Sequence, residues 1–143
     1  MASRDYLIRQ IEEMGLFLAI LLRRILKMKE ENQQAAIESV VKEALLQELK
    51  VDIDQVVMLE NADFLAVAKQ YFTSEDQLEK LADILKVLGQ DVGASLLLTK
   101  INYLLKSLFL FIHLQETSSV FSYERRTKIM ELQELLLQKG AIG

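Results

Sequence analysis

Residues 5–31 read DYLIRQIEEMGLFLAILLRRILKMKEE, and this stretch decides the fold class. Its large apolar residues recur at steps of three and four, the spacing that places side chains on one face of an α-helix. They are Leu7, Ile11, Met14, Leu18, Leu22 and Ile25. Over residues 16–22 the predicted helix is apolar nearly all round, so every side of it must be covered. We therefore expect it to be the central helix of the fold or part of a subunit interface.

The composition of the whole chain agrees with an all-helical fold. Its 143 residues include no Pro and only five Gly, the two residues that most often break helices and shape turns. One of these, Gly15, falls inside the first helix, where Gly costs about 1 kcal/mol relative to Ala. We expect it to let a neighbouring backbone come close. At this length the chain can form a single domain, residues 1–143, with a sizeable core.

Periodicity and capping residues predict the remaining helices. The clearest start is Ser74, because Gln77 three residues later completes a capping box. Gly89 and Gly140 follow apolar stripes and are good helix ends. The other expected caps are Asn61 or Asp63 and Thr117 or Ser118. After the first helix, the predicted helices span residues 34–50, 53–59, a short segment ending at 71, 75–88, 91–115 and 118–139.

Short polar joints between these helices favour antiparallel neighbours. Residues 91–115 and 118–139 should form a helical hairpin with the three-residue joint 116–118. We predict an all-α bundle of antiparallel hairpins, tetratricopeptide-like or α-solenoid-like, with five long helices and one or two short ones. The joints at residues 30–35 and 89–94 are comparable, but they are not spaced as a regular 34-residue array would require. Any internal repeat is therefore degenerate.

Charge is distributed unevenly along the chain. The net charge of −4 divides into +3 over residues 1–29, −9 over 30–98 and +2 over 99–143. Basic residues near the end of the first helix offset the negative end of its dipole. Binding to a nucleic-acid backbone needs a strongly basic surface, so we expect no nucleic-acid partner.

The cysteine content and the length of the apolar runs indicate the cellular compartment of the protein. The absence of Cys fits a reducing compartment, and the charged start reads into a helix rather than a signal peptide. The apolar run 14–22 has about half of the roughly 20 residues that span a bilayer. Lys106 and Ser107 interrupt the later run, residues 103–114. We expect a cytoplasmic protein without a membrane span.

The residue inventory argues against catalysis. A Ser or Cys nucleophile needs an adjacent base, usually His, and the one His, His113, lies in a largely apolar helix. A carboxylate-bridged metal site in a helical bundle needs two Glu-x-x-His motifs. The segment Gly89-x-x-x-Gly93 lacks the Lys-Ser/Thr of a phosphate loop. We predict no catalytic, cofactor-binding or metal-binding residues and no cofactor.

What remains is surface for protein contacts. The last hairpin is rich in aromatic residues, which with Arg are enriched at interfaces. Phe109 and Phe111 point roughly 200° apart on a helix, so one can face the core and the other a neighbouring helix or subunit. The candidate partner-binding residues are Leu16, Phe17, Ile20, Arg23, Arg24, Phe109, Phe111, Tyr123 and Arg125.

These observations lead to one functional prediction and one alternative. We predict a non-enzymatic interaction or scaffold module that binds protein, either itself or another, and forms a homo-oligomer. The alternative is a peripheral membrane-associated or regulatory protein. In that case the first helix, apolar over residues 16–22 and basic at Arg23 and Arg24, would lie on a membrane surface.

Two segments resemble a bacterial family of unknown function. They are residues 5–19, DYLIRQIEEMGLFLA, and residues 117–125, TSSVFSYER. The resemblance covers essentially the whole chain, with one motif near each end. It implies an all-helical, tetratricopeptide-like, bacterial cytoplasmic protein without an assigned activity, and it brings no catalytic or cofactor residues. A feature shared with the family would be sought at Arg9, Gly15, Ser119 and Arg125.

Overall fold

A computed structural model describes residues 2–90 and 97–142, whose regular secondary structure is entirely helical. The helices are α1 (Ala2–Glu30), α2 (Gln34–Leu49), α3 (Ile53–Val56), α4 (Asn61–Tyr71), α5 (Glu75–Gln90), α6 (Leu97–Thr117) and α7 (Tyr123–Gln138). The all-α prediction is confirmed, with α1, α2, α5, α6 and α7 as the long helices of the described chain. The predicted start of the sixth helix at residue 91 lies outside the described residues.

Two helix ends follow the local signals in the sequence. At the start of α5, Ser74 Oγ accepts a hydrogen bond from the backbone N–H of Gln77 at 3.1 Å. The Gln77 side chain reaches back and accepts from the N–H of Thr73 at 3.0 Å, which completes a variant of the capping box. Beyond α7, Gly140 takes a φ of +71°, and the next N–H bonds back to the Leu136 carbonyl at 2.9 Å. This is the glycine-terminated ending expected there.

The predicted cap of α4 is wrong, because the Asn61 side chain bonds elsewhere. Glu60 precedes the helix and makes no side-chain capping bond, while Asn61 and Asp63 both lie inside the helix. The amide oxygen of Asn61 instead accepts a hydrogen bond from Lys106 Nζ in α6 at 2.7 Å. A contact between distant helices has taken a side chain that is suited to a local cap.

The last helix begins five residues later than predicted. Ser122 caps α7 by accepting from the N–H of Arg125 at 3.1 Å. Thr117 donates to the carbonyl of His113 and so belongs to the end of α6, whereas Ser118 accepts from the N–H of Val120 in the joint. Several hydroxyl residues in this segment are suitable caps, and the joint comprises residues 118–122 rather than 116–118.

The central helix of the bundle is α5, not α1. Its buried residues occupy more than one side, and α6 and α1 cover them. They are Gln77, Leu78, Leu81, Ala82, Ile84, Leu85, Val87, Leu88 and Gly89. Of the two roles expected for α1, central helix or interface, the first is therefore excluded, because a different helix occupies the centre.

Contacts along α5 give the directions of its neighbours. Ala82 accepts a hydrogen bond from Ser107 at 2.7 Å, whereas Gly89, further along α5, lies against the earlier residue Leu104. α6 therefore runs antiparallel to α5. Ion pairs join α5 to α7, and they are described below. Their residues occur in the same order along both helices, so α7 runs parallel to α5.

α1 also runs parallel to α5. The start of α5 meets the first half of α1 at the hydrogen bond from Gln77 Nε2 to the Ile11 carbonyl, 2.8 Å long. Near the end of α5, Val87 borders the same cleft as Leu26 of α1. The helices α1, α5 and α7 therefore run in one common direction. α2 packs against α1, and α6 packs against α5 and α7.

Within the described residues, α6 is the one helix long and apolar enough to cross a membrane by length and composition. In this bundle the same composition forms core: Tyr103, Leu104, Leu110 and Phe111 are fully buried. A helix that its neighbours cover on several sides is rich in apolar residues for that reason.

Gly15 and Gly89 have roles different from those expected. A Cβ on Gly15 would meet only the end of the Gln77 side chain, at an ordinary 3.5 Å. A Cβ on Gly89 would lie 2.5 Å from Leu104 Cγ and 3.1 Å from the Lys100 carbonyl oxygen. The close approach predicted at Gly15 is thus found at Gly89, which lies within α5 and not behind it.

Alanine at these two positions should change stability in opposite directions. We expect Gly15→Ala to stabilise the fold by up to about 1 kcal/mol, because Ala favours the helix and its methyl group fits. We expect Gly89→Ala to destabilise it by roughly 1–3 kcal/mol, because the buried Leu104 must move. Chemical denaturation followed by circular dichroism measures both. Equal shifts of the same sign would contradict this assignment.

Candidate interaction surface

α1 lies at the edge of the bundle and is covered along one side for part of its length. Leu18, Leu21 and Ile25 are buried against α5 and α2, whereas residues 4–13 are exposed without exception. The apolar stripe predicted from the sequence is therefore exposed in its first part and buried or half-buried in its second part. Its first members, Leu7 and Ile11, continue the core-facing side of α1 beyond the helices that could cover it.

An open groove of about 450 Å³ borders this first part of α1. Leu7, Ile11, Met14 and Phe17 form one wall, and Tyr71 at the end of α4 belongs to the other. Phe17, a predicted contact residue, is half-buried here. The groove thus continues the core-facing side of α1 and is open to solvent.

The side of α1 that faces away from α5 carries a second apolar site. Leu16 is 61 % exposed and Ile20 is 55 % exposed. They are four residues apart, so they are neighbours on one side of the helix, opposite the side that buries Leu18 and Ile25. Glu12 and Glu13 precede them, and Arg23 and Arg24 follow. We call these six residues the outer face of α1.

The charged residues of the outer face are free of ion pairs in the part of the chain that the structure describes. Glu12, Glu13, Arg23 and Arg24 are all exposed, and none of them takes part in a salt bridge described for the bundle. Both signs of charge are therefore available to a partner, beside two exposed apolar side chains.

A second exposed patch lies at the start of α7. Tyr123 is 78 % exposed, and its ring meets that of Phe121 edge-to-face at a centroid distance of 4.9 Å. Val120 is exposed beside them, and Met130 lies seven residues after Tyr123 on the same side of α7. We call Val120, Phe121 and Tyr123 the hairpin patch.

The two phenylalanines of α6 face different surroundings. Phe111 is fully buried in the core, with Lys128 Nζ 5.6 Å from its ring centroid. Phe109 is half-buried and packs edge-to-face against Phe64 of α4 at 6.2 Å. Phe111 therefore has no surface to offer a partner in the folded chain, and Phe109 contacts a neighbouring helix.

Arg125 is a structural residue that joins three helices. Only 6 % of it is exposed. Its guanidinium donates two hydrogen bonds to the Glu79 carboxylate of α5, from Nε at 2.8 Å and from Nη2 at 2.9 Å. Its Nη1 donates to the side-chain oxygen of Gln115 of α6 at 3.0 Å. The hydrogen bonds to Glu79 raise the pKa of Arg125 above its ordinary value. Three of its five N–H donors are therefore used inside the molecule.

Two further ion pairs continue this contact between α5 and α7. Lys128 Nζ lies 2.7 Å from Asp83 Oδ1, and Lys86 pairs with Glu131. Burial raises the pKa of Asp83 above its ordinary value, although the hydrogen bond from Lys128 acts to lower it. We call the three pairs, Glu79–Arg125, Asp83–Lys128 and Lys86–Glu131, the ion-pair ladder.

The cleft beside the ladder has a volume of about 300 Å³ and is lined largely by charged side chains. Glu79, Asp83, Arg125 and Lys128 all line it, and each is held by a partner across the cleft. The ladder therefore satisfies charges between two helices, and this cleft offers no unpaired acid or base among those four for chemistry.

Sequence reasoning missed the buried polar contacts of α6. Lys106 is buried, donates to Asn61 and lies 5.6 Å from the Phe64 ring centroid. Burial lowers the pKa of Lys106 below its ordinary value. Tyr103, fully buried, donates to Asp54, which also pairs with Lys42 at 2.7 Å. The only signal for Lys106 was that it interrupts an apolar run, because a charge within such a run needs a partner.

His113 stacks against Phe109 at a ring-centroid distance of 6.2 Å and is half-buried. In residues 2–90 and 97–142, no three His, Cys, Asp or Glu side chains are grouped so that they could hold a metal ion. Among the described residues, the outer face and groove of α1 and the hairpin patch are surfaces with exposed apolar side chains.

The role of Arg125 predicts a specific loss on a charge-conserving substitution. Arg125→Lys keeps the charge but cannot form the two hydrogen bonds to Glu79 and the bond to Gln115 together. We expect it to lower the free energy of unfolding by roughly 1.5–3 kcal/mol. Arg126→Lys is the matched control, because Arg126 is exposed, and should shift stability by no more than about 0.5 kcal/mol. Equal effects in urea titrations would remove the structural role of Arg125.

Comparison of the chain with protein-family models, with curated proteins and with solved structures found no match. Of the residues singled out in the two family-like segments, Arg9 and Ser119 are exposed, whereas Arg125 belongs to the packed interior.

Proposed function

We propose that this chain is a non-enzymatic helical interaction module that self-associates in a bacterial cytoplasm. The observation that carries the proposal is the exposed apolar surface of α1, which is flanked by unpaired charges of both signs. Large exposed apolar patches rimmed by polar residues mark interaction sites, because removing apolar surface from water is favourable. The hairpin patch, around Tyr123, is the second surface available for such contacts.

A tetratricopeptide-like arrangement is part of this proposal. In such arrays, the first helices of successive hairpins lie parallel in one layer and their partners form another. The common direction of α1, α5 and α7, with α6 antiparallel to α5, supports such an arrangement. The short helices α3 and α4 would then be an insertion after the first hairpin, which would explain why the joints do not follow a regular repeat.

Self-association is tested by measuring the mass of the protein in solution. We expect light scattering coupled to size exclusion to give at least twice the chain mass of 16.4 kDa at micromolar concentration. The mass should fall towards that of one chain on dilution, because association depends on concentration. A sharp monomer mass across the whole concentration range would remove the self-associating part of the proposal.

A peripheral membrane protein is the alternative, and the same helix supports it. Leu16 and Ile20 are exposed and are followed by Arg23 and Arg24, as in helices that lie at a membrane surface. Glu12 and Glu13, however, belong to the same face and would repel anionic lipid. A second protein surface can use both signs of charge, whereas an anionic membrane can use only one.

Flotation with lipid vesicles separates these two functions. We expect the protein to remain at the bottom of a density gradient with vesicles of phosphatidylcholine containing phosphatidylserine, because Glu12 and Glu13 oppose binding. Vesicles of phosphatidylcholine alone are the control for charge. Flotation with the anionic vesicles only, lost in the variant Arg23→Glu/Arg24→Glu, would favour the membrane alternative.

A further inference from the structure

The charges on the outer face of α1 are arranged symmetrically about position 18. Glu13 lies five residues before this position and Arg23 five residues after it. Glu12 lies six residues before it and Arg24 six after. Each acid therefore has a base at the same distance on the other side of a common centre, and all four side chains are exposed.

The exposed apolar residues share this centre. Leu16 lies two residues before position 18 and Ile20 two after it. The residue at position 18 itself points into the core, so the outward side of the helix at its level is formed by this pair. The outer face thus has an apolar middle, an acidic end and a basic end.

Such a face is complementary to a copy of itself turned through 180°. A two-fold axis through the centre of the face places two copies of α1 antiparallel, with the same patch on both sides of the contact. Glu12 and Glu13 of each copy then lie close to the level of Arg23 and Arg24 of the other. At 3.6 residues per turn, Glu12 is on the same side of the contact as Arg23, and Glu13 on the same side as Arg24, so these are the facing pairs. Every pair forms twice, and Leu16 packs against Ile20 between them.

We propose that the outer face of α1 binds the outer face of a second copy of this chain in an antiparallel two-fold dimer. The inference rests on the proposed self-association and specifies its surface, its direction and its charge pairing. The helix side that carries this contact is opposite the one that packs on α5, so the bodies of the two copies lie on opposite sides of the interface.

One pair of like charges limits the crossing angle. Arg9 and Lys27 lie nine residues before and after position 18, so they would also face each other across the dimer. They lie roughly 13 Å from the centre at about 1.5 Å per residue. Helices that cross at about 50°, the commonest packing class, have already diverged at that distance. The charged residues five and six positions from the centre are still close enough for their long side chains to meet.

The hairpin patch and the groove beside α1 do not specify a copy of the chain in this way. The hairpin patch around Tyr123 is apolar at its centre and has no acid–base order about a midpoint. The groove beside Leu7 and Ile11 has an opening but no feature that identifies its occupant. Charge complementarity therefore favours the outer face of α1 as the self-association surface.

Charge reversal with mixing tests the proposal. One full-length variant is Glu12→Lys/Glu13→Lys and the other is Arg23→Glu/Arg24→Glu. In each variant alone both ends of the face carry one sign, so like charges meet in the antiparallel dimer. We expect the dimer dissociation constant of each to rise at least about tenfold at low salt. An equimolar mixture should form a heterodimer at wild-type strength, because one face is then wholly basic and the other wholly acidic.

Matched controls change the same charge at other exposed positions. Glu43→Lys/Glu48→Lys on α2 and Lys69→Glu/Lys139→Glu should leave the mass of the dimer unchanged. Circular dichroism shows whether each variant keeps its helical content. Leu16→Asp should weaken the dimer and Tyr123→Asp should not, because only Leu16 lies in the proposed interface.

Each result supports or overturns the proposal. Monomeric single variants with a dimeric mixture support it. A wild-type oligomer that both charge reversals leave intact overturns this interface while self-association stands, and loss of the oligomer in Tyr123→Asp would then assign it to the hairpin patch. Single variants that are monomeric but do not associate when mixed also overturn it. A monomeric wild type overturns self-association itself.

Discussion

The burial of α5 is the constraint on which the other helices depend. Its side chains and backbone are bonded to three neighbours: Gln77 to the Ile11 carbonyl of α1, Ala82 to Ser107 of α6, and Glu79 to Arg125 of α7. Buried polar groups must find such partners, because an unpaired one costs the free energy of its lost hydration. Rotation of α5 about its axis would break all three contacts together. Its orientation therefore determines which side of α1 is covered and which side is left as the outer face.

Most of the helical organisation could be predicted from the sequence, because its signals are local. The stripes of apolar residues, the Ser74–Gln77 capping box and the turn at Gly140 each involve residues within a few positions of one another. What failed depended on distant helices. Asn61 would be a good cap, but Lys106 takes its side chain, and the close approach expected at Gly15 occurs at Gly89, where Leu104 packs. Neither outcome can be read from the residues that surround Asn61 or Gly89 in the chain.

The candidate surface was predictable only in part, for a related reason. An apolar segment such as residues 16–22 shows that several sides of a helix need cover, but not which side the rest of the chain supplies. Phe is common both in cores and at interfaces, so Phe111 could belong to either. Arg is enriched at interfaces and is buried only where it finds a partner, which the sequence around Arg125 does not show. Arg125 is buried because Glu79 lies opposite it, and 46 residues separate the two in sequence. Leu16 and Ile20 stay exposed because α5 and α2 cover the other side of α1.

The acid and the base do not belong to the same helices in all three pairs of the ion-pair ladder, and this affects the register of α7 on α5. In its first two pairs the acid belongs to α5 and the base to α7, but in the third Lys86 belongs to α5 and Glu131 to α7. A slide of α7 by one helical turn in one direction would bring Glu131 opposite Asp83. A slide by one turn in the other direction would bring Lys128 opposite Lys86. Either slide sets like charges against each other, and alternatives are rejected by such repulsion as much as the native pairing is favoured by attraction. The reversed third pair therefore selects a single register for two parallel helices whose apolar stripes alone would tolerate several.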